Sequence, residues 1–174
     1  MENIELINPS HLYKEQIMEY KNEFLLHSDS LDGTAGLKTA QNFEEWLSAI
    51  QDNASEETVR TGLVPASTYL AVRTADSRIV GMIDIRRRLN DYLLQFGGNI
   101  GYSVRKSERQ KGYASEILRL ALRKCRIMNM DRVLITCDKD NIGSAKTILK
   151  NGGILENEVE EQHGITQRYW INLT

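Results

Sequence analysis

Apolar and polar residues follow two periods along this chain, and each stretch of one period predicts an element. Ile4-Glu5-Leu6-Ile7 reads as a short strand closed by Asn8-Pro9. Ser10 is placed to cap a helix reaching about Leu26, with Tyr13, Ile17, Tyr20 and Phe24 on one face. Asp29 to Gly36 is a loop of Ser, Asp and Gly. Asn42 opens a second helix whose Phe43, Trp46, Leu47 and Ile50 share a face, with Glu45 where a capping box wants a carboxylate. After a polar connection, 51–62, strands are predicted at about 68–73 and 79–87, joined by Ala75-Asp76-Ser77. Asn90 to Gly98 reads as a loop or ragged strand end, and 99–104 as a strand. A helix follows over about 111–128, with Ala114, Ile117, Leu118, Ala121, Cys125 and Met128 on one face. The run 132–137 is apolar enough for a strand buried on both sides. A short helix, 141–151, stops at Gly152-Gly153 before a hairpin of strands 154–160 and 167–173.

Strand 99–104, helix 111–128 and strand 132–137 make a βαβ unit, which implies a parallel pair and a right-handed crossover. The preceding strands are hairpin-connected. The fold class expected is therefore α/β (α+β): a mixed, mostly antiparallel central sheet of about seven strands with a central βαβ unit and helices on both faces. The 174 residues suit one domain, 1–174. A net charge of −2 provides no global field toward nucleic acid or an anionic membrane. Cys125 and Cys137 lie in apolar-patterned segments, as thiols of a reducing compartment do. The segment from Met1 to Pro9 lacks the basic flank and apolar run of a signal peptide, and no run approaches the ~18 apolar residues that span a bilayer. The expectation is a cytoplasmic protein.

The segment with chemistry runs from Val104 through Arg105, Lys106, Ser107, Glu108, Arg109, Gln110, Lys111, Gly112, Tyr113 and Ala114 to Ser115. It joins a strand to a helix. A helix N-terminus leaves backbone N–H groups unpaired and carries partial positive charge, and a glycine followed by small residues lets a pyrophosphate approach them. Arg109 and Lys111 stand beside it. A plain β-to-α turn with solvent-facing basic residues is the competing interpretation. Neither G-x-x-x-x-G-K-[ST] nor G-x-G-x-x-G is present.

Arg109-Gln110-Lys111-Gly112-Tyr113-Ala114 resembles the Q/R-x-x-G-x-G/A motif of the GNAT superfamily of N-acetyltransferases. Ile100-Gly101-Tyr102-Ser103-Val104 resembles that family's central strand. Asp138-Lys139-Asp140-Asn141-Ile142-Gly143-Ser144-Ala145 resembles its second cofactor motif, and Gly152-Gly153 falls where the family usually has Gly-Phe. The resemblance covers the C-terminal half in motif and the N-terminal half in layout. It implies a GNAT-like fold, acetyl-CoA as cofactor and an amine acceptor of unspecified identity. It also implies that the backbone of Tyr102, Ser103 and Val104 bonds the pantetheine arm, in a splay of the sheet beyond Val104. Arg109 and the backbone of Gln110, Lys111, Gly112, Tyr113, Ala114 and Ser115 would hold the pyrophosphate. Asn141, with Ser144, would bond pantetheine or adenosine-side groups, a role compatible with capping the helix. No metal, nucleic-acid or membrane partner is implied, and a homodimer is left open.

Three acid/base positions of the family hold other residues: Ile148 for a Tyr, and Thr136 and Asn99 for Glu. None of them titrates near neutral pH. Tyr102 is then the catalytic candidate, as proton donor to the departing thiolate, with core packing as its competing role. Asp84, inside an apolar strand, is explained by an acid/base role or equally by an edge position. Glu108 is expected on a surface loop, His163 in an exposed hairpin turn, and the run Arg86-Arg87-Arg88 in solvent. Cys137 lacks a nucleophile signature and reads as a small buried hydrophobe. The resemblance makes Gly33–Trp46 one wall of the acceptor site, with Trp46 itself in the core. The acidic stretches 29–32 and 156–161 would suit a cationic acceptor if they line the cleft. Three function classes follow: an acetyl-CoA-dependent N-acetyltransferase, a non-catalytic acetyl-CoA sensor, and a nucleic-acid-binding domain that the charge fits poorly.

Overall fold

In a computed structural model describing residues 2–174, the elements are β1 (Ile4–Ile7), α1 (Lys14–Leu26), α2 (Phe43–Asp52), β2 (Ala66–Arg73), β3 (Arg78–Arg86), β4 (Ile100–Val104), α3 (Tyr113–Ile127), β5 (Arg132–Asp138), α4 (Ile142–Lys150), β6 (Ile154–Glu161) and β7 (Gly164–Asn172). The seven strands divide into two antiparallel sheets, ordered β1-β2-β3-β4 and β5-β7-β6. On one face of the first sheet, Ile17, Tyr20 and Phe24 of α1 and the Phe43–Ile50 stripe of α2 bury Leu70 and Met82. On the other, Ile117, Leu118 and Ala121 of α3 cover Ile83 and Ile85, and this core continues into Val133, Ile135, Tyr169 and Ile171 of the second sheet. Each such side chain contributes roughly 1.5–3 kcal/mol by leaving water. Trp46 is in the core as expected, and its indole N–H donates to the Thr34 carbonyl at 2.7 Å, which ties α2 to the loop before it.

The parallel pair implied by the βαβ unit is a single point of contact, not a ladder. Asn99 makes that contact. Its N–H donates to Leu134 O at 2.7 Å. Its side-chain Oδ1 accepts from Leu134 N at 2.8 Å, and its Nδ2 donates to Arg86 O at 3.0 Å. Asn99 is 3% exposed and thereby joins both sheets. Beyond it, no backbone hydrogen bond joins β4 to β5 among the described residues, and the strands diverge.

Local outcomes differ from the pattern in three places. The Ser10 hydroxyl makes no cap bond; its carbonyl accepts from Tyr13 N at 3.1 Å, and a 3₁₀ turn, His11–Tyr13, precedes α1. Lys111, expected within α3, lies before it, because Gly112 takes a left-handed φ of 88°. Residues 90–98 are not a ragged strand: Leu93–Gly97 winds into a π-helical turn, started by Asn90 Oδ1 accepting from Leu93 N at 2.9 Å. The capping of α2 is as expected, with Asn42 Oδ1 accepting from Glu45 N at 2.9 Å. No helix of the described residues is long and apolar enough to cross a membrane.

Candidate active site

The divergence of β4 from β5 opens a cleft of about 960 Å³, at the upper end of the ~300–1,000 Å³ usual for small-molecule sites. Its β4 wall is backbone. Arg86 N donates to Asn99 O at 2.7 Å and Arg105 N to Val80 O at 3.0 Å, which sets the odd-numbered residues of β4 toward β3. By alternation, Tyr102 and Val104 turn their N–H and C=O groups away from β3, toward the cleft. Ser103 departs from expectation here: its backbone belongs to the β3-facing set, and its hydroxyl meets Tyr20 Oη at 3.0 Å. The Val104 carbonyl accepts from Arg109 Nε at 3.0 Å. The groups facing the cleft are therefore Tyr102 N–H and C=O and Val104 N–H.

At one end of the cleft, the chain turns from β4 into α3. Gln110 and Gly112 both take left-handed φ values, 62° and 88°. Glycine suits the second, since a Cβ disfavours that region. Left-handed residues within such a turn aim consecutive N–H groups at one point, a concavity that binds anions. None of the backbone N–H groups from Gln110 to Ser115 donates to a protein acceptor among the described residues. The positive end of the α3 dipole adds to them.

This loop is pinned from below. Glu108, expected at the surface, is 5% exposed. It accepts from Arg73 at 3.0 Å and Lys111 at 2.8 Å, with Arg78 at 3.5 Å. Burial pushes its pKa up, but the Lys111 hydrogen bond and the Arg73 charge outweigh that and hold it below the ordinary carboxylate value. It is an ionised anchor, not a base. Arg105 is fully buried between Glu19 and Glu23 of α1, at 3.3 and 3.4 Å, and Glu23 also accepts from Ser107 N at 3.1 Å. The two cations expected to face the pyrophosphate are bonded to protein: Arg109 to Asp29 at 3.0 Å, and Lys111 to Glu108. Lys111 does not line the cleft. The donors left unpaired at this turn are backbone amides, with the ion-paired Arg109 beside them.

Tyr102 reaches across the cleft to α4, its Oη 2.8 Å from Ser144 Oγ. Burial, partly offset by the Ser144 hydrogen bond, pushes its phenol up to about 12. Asn141 caps α4, Oδ1 accepting from Ser144 N at 3.0 Å. Cys137 lines the cleft nearby; burial pushes its thiol up to about 11, which favours the protonated form at neutral pH. Ile148 is fully buried in the core.

At the other end, the loop before α2 lies directly on β4: a Cβ on Gly33, with φ 70°, would fall 2.2 Å from Gly101 O. This loop brings Asp29 and Asp32 to the cleft, and the β6–β7 hairpin brings Glu161 and Thr166. Among the described residues, Asp32 and Asp138 line it with no bonded side-chain partner, and Glu161 accepts only from the Thr166 hydroxyl. Arg86, expected in solvent, also lines the cleft; it bonds Asp84 at 3.1 Å and the Gly97 carbonyl at 3.0 Å. Asp84 is buried, not at an edge, and accepts from Thr68 at 2.9 Å; desolvation pushes its pKa up. His163 is exposed at the hairpin tip, outside the cleft lining.

Two positioning residues escaped the sequence pattern. Asn151 Nδ2 donates to Ser115 O and Oγ, each at 3.2 Å, and so joins the end of α4 to the start of α3. It stands at a helix end before Gly-Gly and reads only as a cap. Arg168 is buried and donates to Leu94 O. Its signal was a charged residue in a strand beside Tyr169-Trp170-Ile171.

A profile of the acetyltransferase (GNAT) domain matches residues 13–154. Over 79 residues the chain is 34% identical to the uncharacterized N-acetyltransferase YjdG of Bacillus subtilis (strain 168). That match covers 43% of this chain and 42% of the relative, less than half its length. Among solved structures, the fold is similar to that of RimL, a ribosomal L7/L12 alpha-N-protein acetyltransferase in complex with coenzyme A, with a TM-score of 0.69, 18% identity and coverage of 97% of this chain and 93% of that one. It is also similar to MccE, a microcin C7 self-immunity acetyltransferase in complex with acetyl-CoA and AMP, with a TM-score of 0.67, 19% identity and coverage of 97% and 92%. At these identities the structural likeness speaks to fold. The matched segment takes in the diverging strand, the amide cradle and the start of α4, and the chain belongs to the GNAT acetyltransferase family.

Proposed function

We propose that this cleft binds acetyl-CoA along β4 and transfers its acetyl group to the amine of a cationic acceptor entering between Asp32 and Glu161. The observation that carries the proposal is the run of unpaired N–H groups from Gln110 to Ser115, which suits a diphosphate. The complexes of RimL with coenzyme A and MccE with acetyl-CoA support the ligand. The cofactor supplies the acetyl group as a thioester. Tyr102 and Val104 offer backbone groups to the amide-bearing arm between thioester and diphosphate, and their N–H groups are the donors at hand for a polarised carbonyl. Tyr102 keeps its proton below about pH 12 and stands 2.8 Å from Ser144 Oγ, so it is the group placed to donate a hydrogen bond, and in the transition state a proton, to the departing thiolate.

The charge of the acceptor follows from which groups are already bonded. Arg86 and Arg109, the cations lining the cleft, both hold protein acceptors, whereas Asp32, Asp138 and Glu161 have no cationic partner among the described residues. A thiol-release assay with acetyl-CoA and matched primary amines ending in ammonium, methyl or carboxylate tests this. The ammonium-ended amine is expected to have the highest kcat/KM, with a rate that falls as salt rises. Acetyl-CoA is expected to raise the melting temperature. No melting shift sinks the cofactor assignment; a shift without transfer to any amine favours a sensor; preference for the carboxylate-ended amine sinks the charge assignment.

A further inference from the structure

The π-helical turn Leu93–Gly97 is held from three strands of two sheets. Arg86 of β3 donates to Gly97 O at 3.0 Å and Gly98 O at 3.3 Å. Thr136 Oγ1 of β5 donates to Phe96 O at 2.6 Å. Arg168 of β7 donates to Leu94 O from Nε at 3.0 Å and Nη2 at 2.8 Å. Arg86 is oriented by Asp84, which is fixed in turn by Thr68. A short irregular turn has few ladder bonds, so its carbonyls need such partners wherever water is excluded. Two guanidiniums and a hydroxyl provide them and fix the position of Tyr92, Leu93 and Phe96, whose side of the turn lines the cleft where β4 and β5 begin to part.

We infer that Arg86 is a positioning residue for the amine acceptor: it locks the 93–98 turn into a rigid wall of the acceptor pocket and takes no part in holding acetyl-CoA. The inference rests on the function proposed above. Arg86 lies against Gly101 near the start of β4, whereas the amide cradle follows the end of that strand, so the two substrates separate its effect from theirs. The buried Asp84 carboxylate explains itself in the same way, as the group that aims Arg86, and needs no acid/base role.

The test compares wild type with Asp84→Asn/Arg86→Met, which removes both charges together and leaves no buried ion unpaired, and with Arg86→Lys, which keeps both charges without the two-pronged reach. The KM for the best amine is expected to rise about tenfold or more in the double variant, a loss of about 1.4 kcal/mol. The KM for acetyl-CoA and the acetyl-CoA-induced melting shift should stay within about twofold of wild type. Amide hydrogen exchange at Leu94 and Gly98, which bond Asn90 O and Leu93 O across the turn, should accelerate. Arg86→Lys should recover part of the amine KM. Unchanged exchange, or an acetyl-CoA KM rising in parallel with the amine KM, overturns the inference. Exchange is measured without either substrate, so it still reports on the turn if the protein proves to transfer nothing, and that failure would fall on the proposed function alone.

Discussion

Replacing Asn99 by alanine removes the side chain that joins the two sheets. Its Oδ1 satisfies the Leu134 N–H, which is fully buried, and its Nδ2 satisfies the Arg86 carbonyl, which is partly buried. Alanine has neither group, and the gap is too enclosed for both orphans to find water. A buried unsatisfied donor costs about 1–3 kcal/mol, and a partly buried carbonyl about 1. The backbone bonds of residue 99 to Leu134 O and Arg86 N survive, so the expected loss is about 3 kcal/mol. At about 2–4 °C per kcal/mol for a domain of this size, Asn99→Ala should melt roughly 6–12 °C below wild type. Asn99→Asp is the control: it keeps an acceptor for Leu134 N but sets a carboxylate oxygen against the Arg86 carbonyl, so it should be at least as destabilised as alanine near neutral pH. Scanning calorimetry and urea midpoints give the values. Asn99→Ala melting within about 2 °C of wild type, the resolution set by less than one kcal/mol, would refute the view that this side chain holds the sheets together where the cleft begins.

Other expectations can be checked on the same preparation. Tyr102→Phe should lower kcat about tenfold or more, within the range for losing a general acid, and leave the acetyl-CoA KM near wild type. With the phenol at about 12, wild-type kcat should show no alkaline fall between pH 7 and 10 from this group. Gly112→Ala forces a Cβ into a left-handed φ of 88°; it should cost about 1–2 kcal/mol in a urea titration and shrink the melting shift given by acetyl-CoA. Asp32→Asn/Glu161→Gln should raise the KM for an ammonium-ended amine and flatten its salt dependence, with the KM for a methyl-ended amine nearly constant. Glu108 has a pKa held below its ordinary 4.5. Its stabilisation is therefore present above that pH and lost as pH falls through the folded value, so Glu108→Gln should flatten the acid limb of a stability profile below about pH 4.5.

Much of this fold was legible because its elements announce themselves locally. The α2 stripe, the cap at Asn42 and the Gly-containing β4–α3 junction each follow from a few neighbouring residues. The division into two sheets does not, because it depends on Asn99 meeting Leu134 across 35 positions of chain. The charges at the cradle misled for the same reason. Arg109 and Lys111 look like phosphate ligands until Asp29 and Glu108 arrive from other parts of the surface to bond them. Glu108 itself reads as a loop carboxylate; its burial depends on Arg73 and Arg78, which arrive from other strands to join Lys111 around it.

The three positions where the family's acid and base would stand are not empty of purpose. Ile148 fills the core between α3 and β5. Thr136 holds the Phe96 carbonyl. Asn99 joins the sheets. A carboxylate at 99 could not donate to the Arg86 carbonyl, and one at 136 would face the Phe96 carbonyl without a proton to give it, so each substitution exchanges a titrating group for a donor that the local backbone requires. In the proposed reaction, proton delivery is assigned to the hydroxyls that remain in the cleft. Tyr102 and Ser144, 2.8 Å apart on facing walls, are such a pair, with Tyr102 protonated below about pH 12. Removal of the incoming amine's proton falls to solvent, since the carboxylates that line the cleft have a cation to hold. The rate should accordingly rise with pH until the acceptor's own ammonium has titrated, and a plateau reached well below the acceptor's pKa would require a general base on the protein and refute solvent as the proton acceptor.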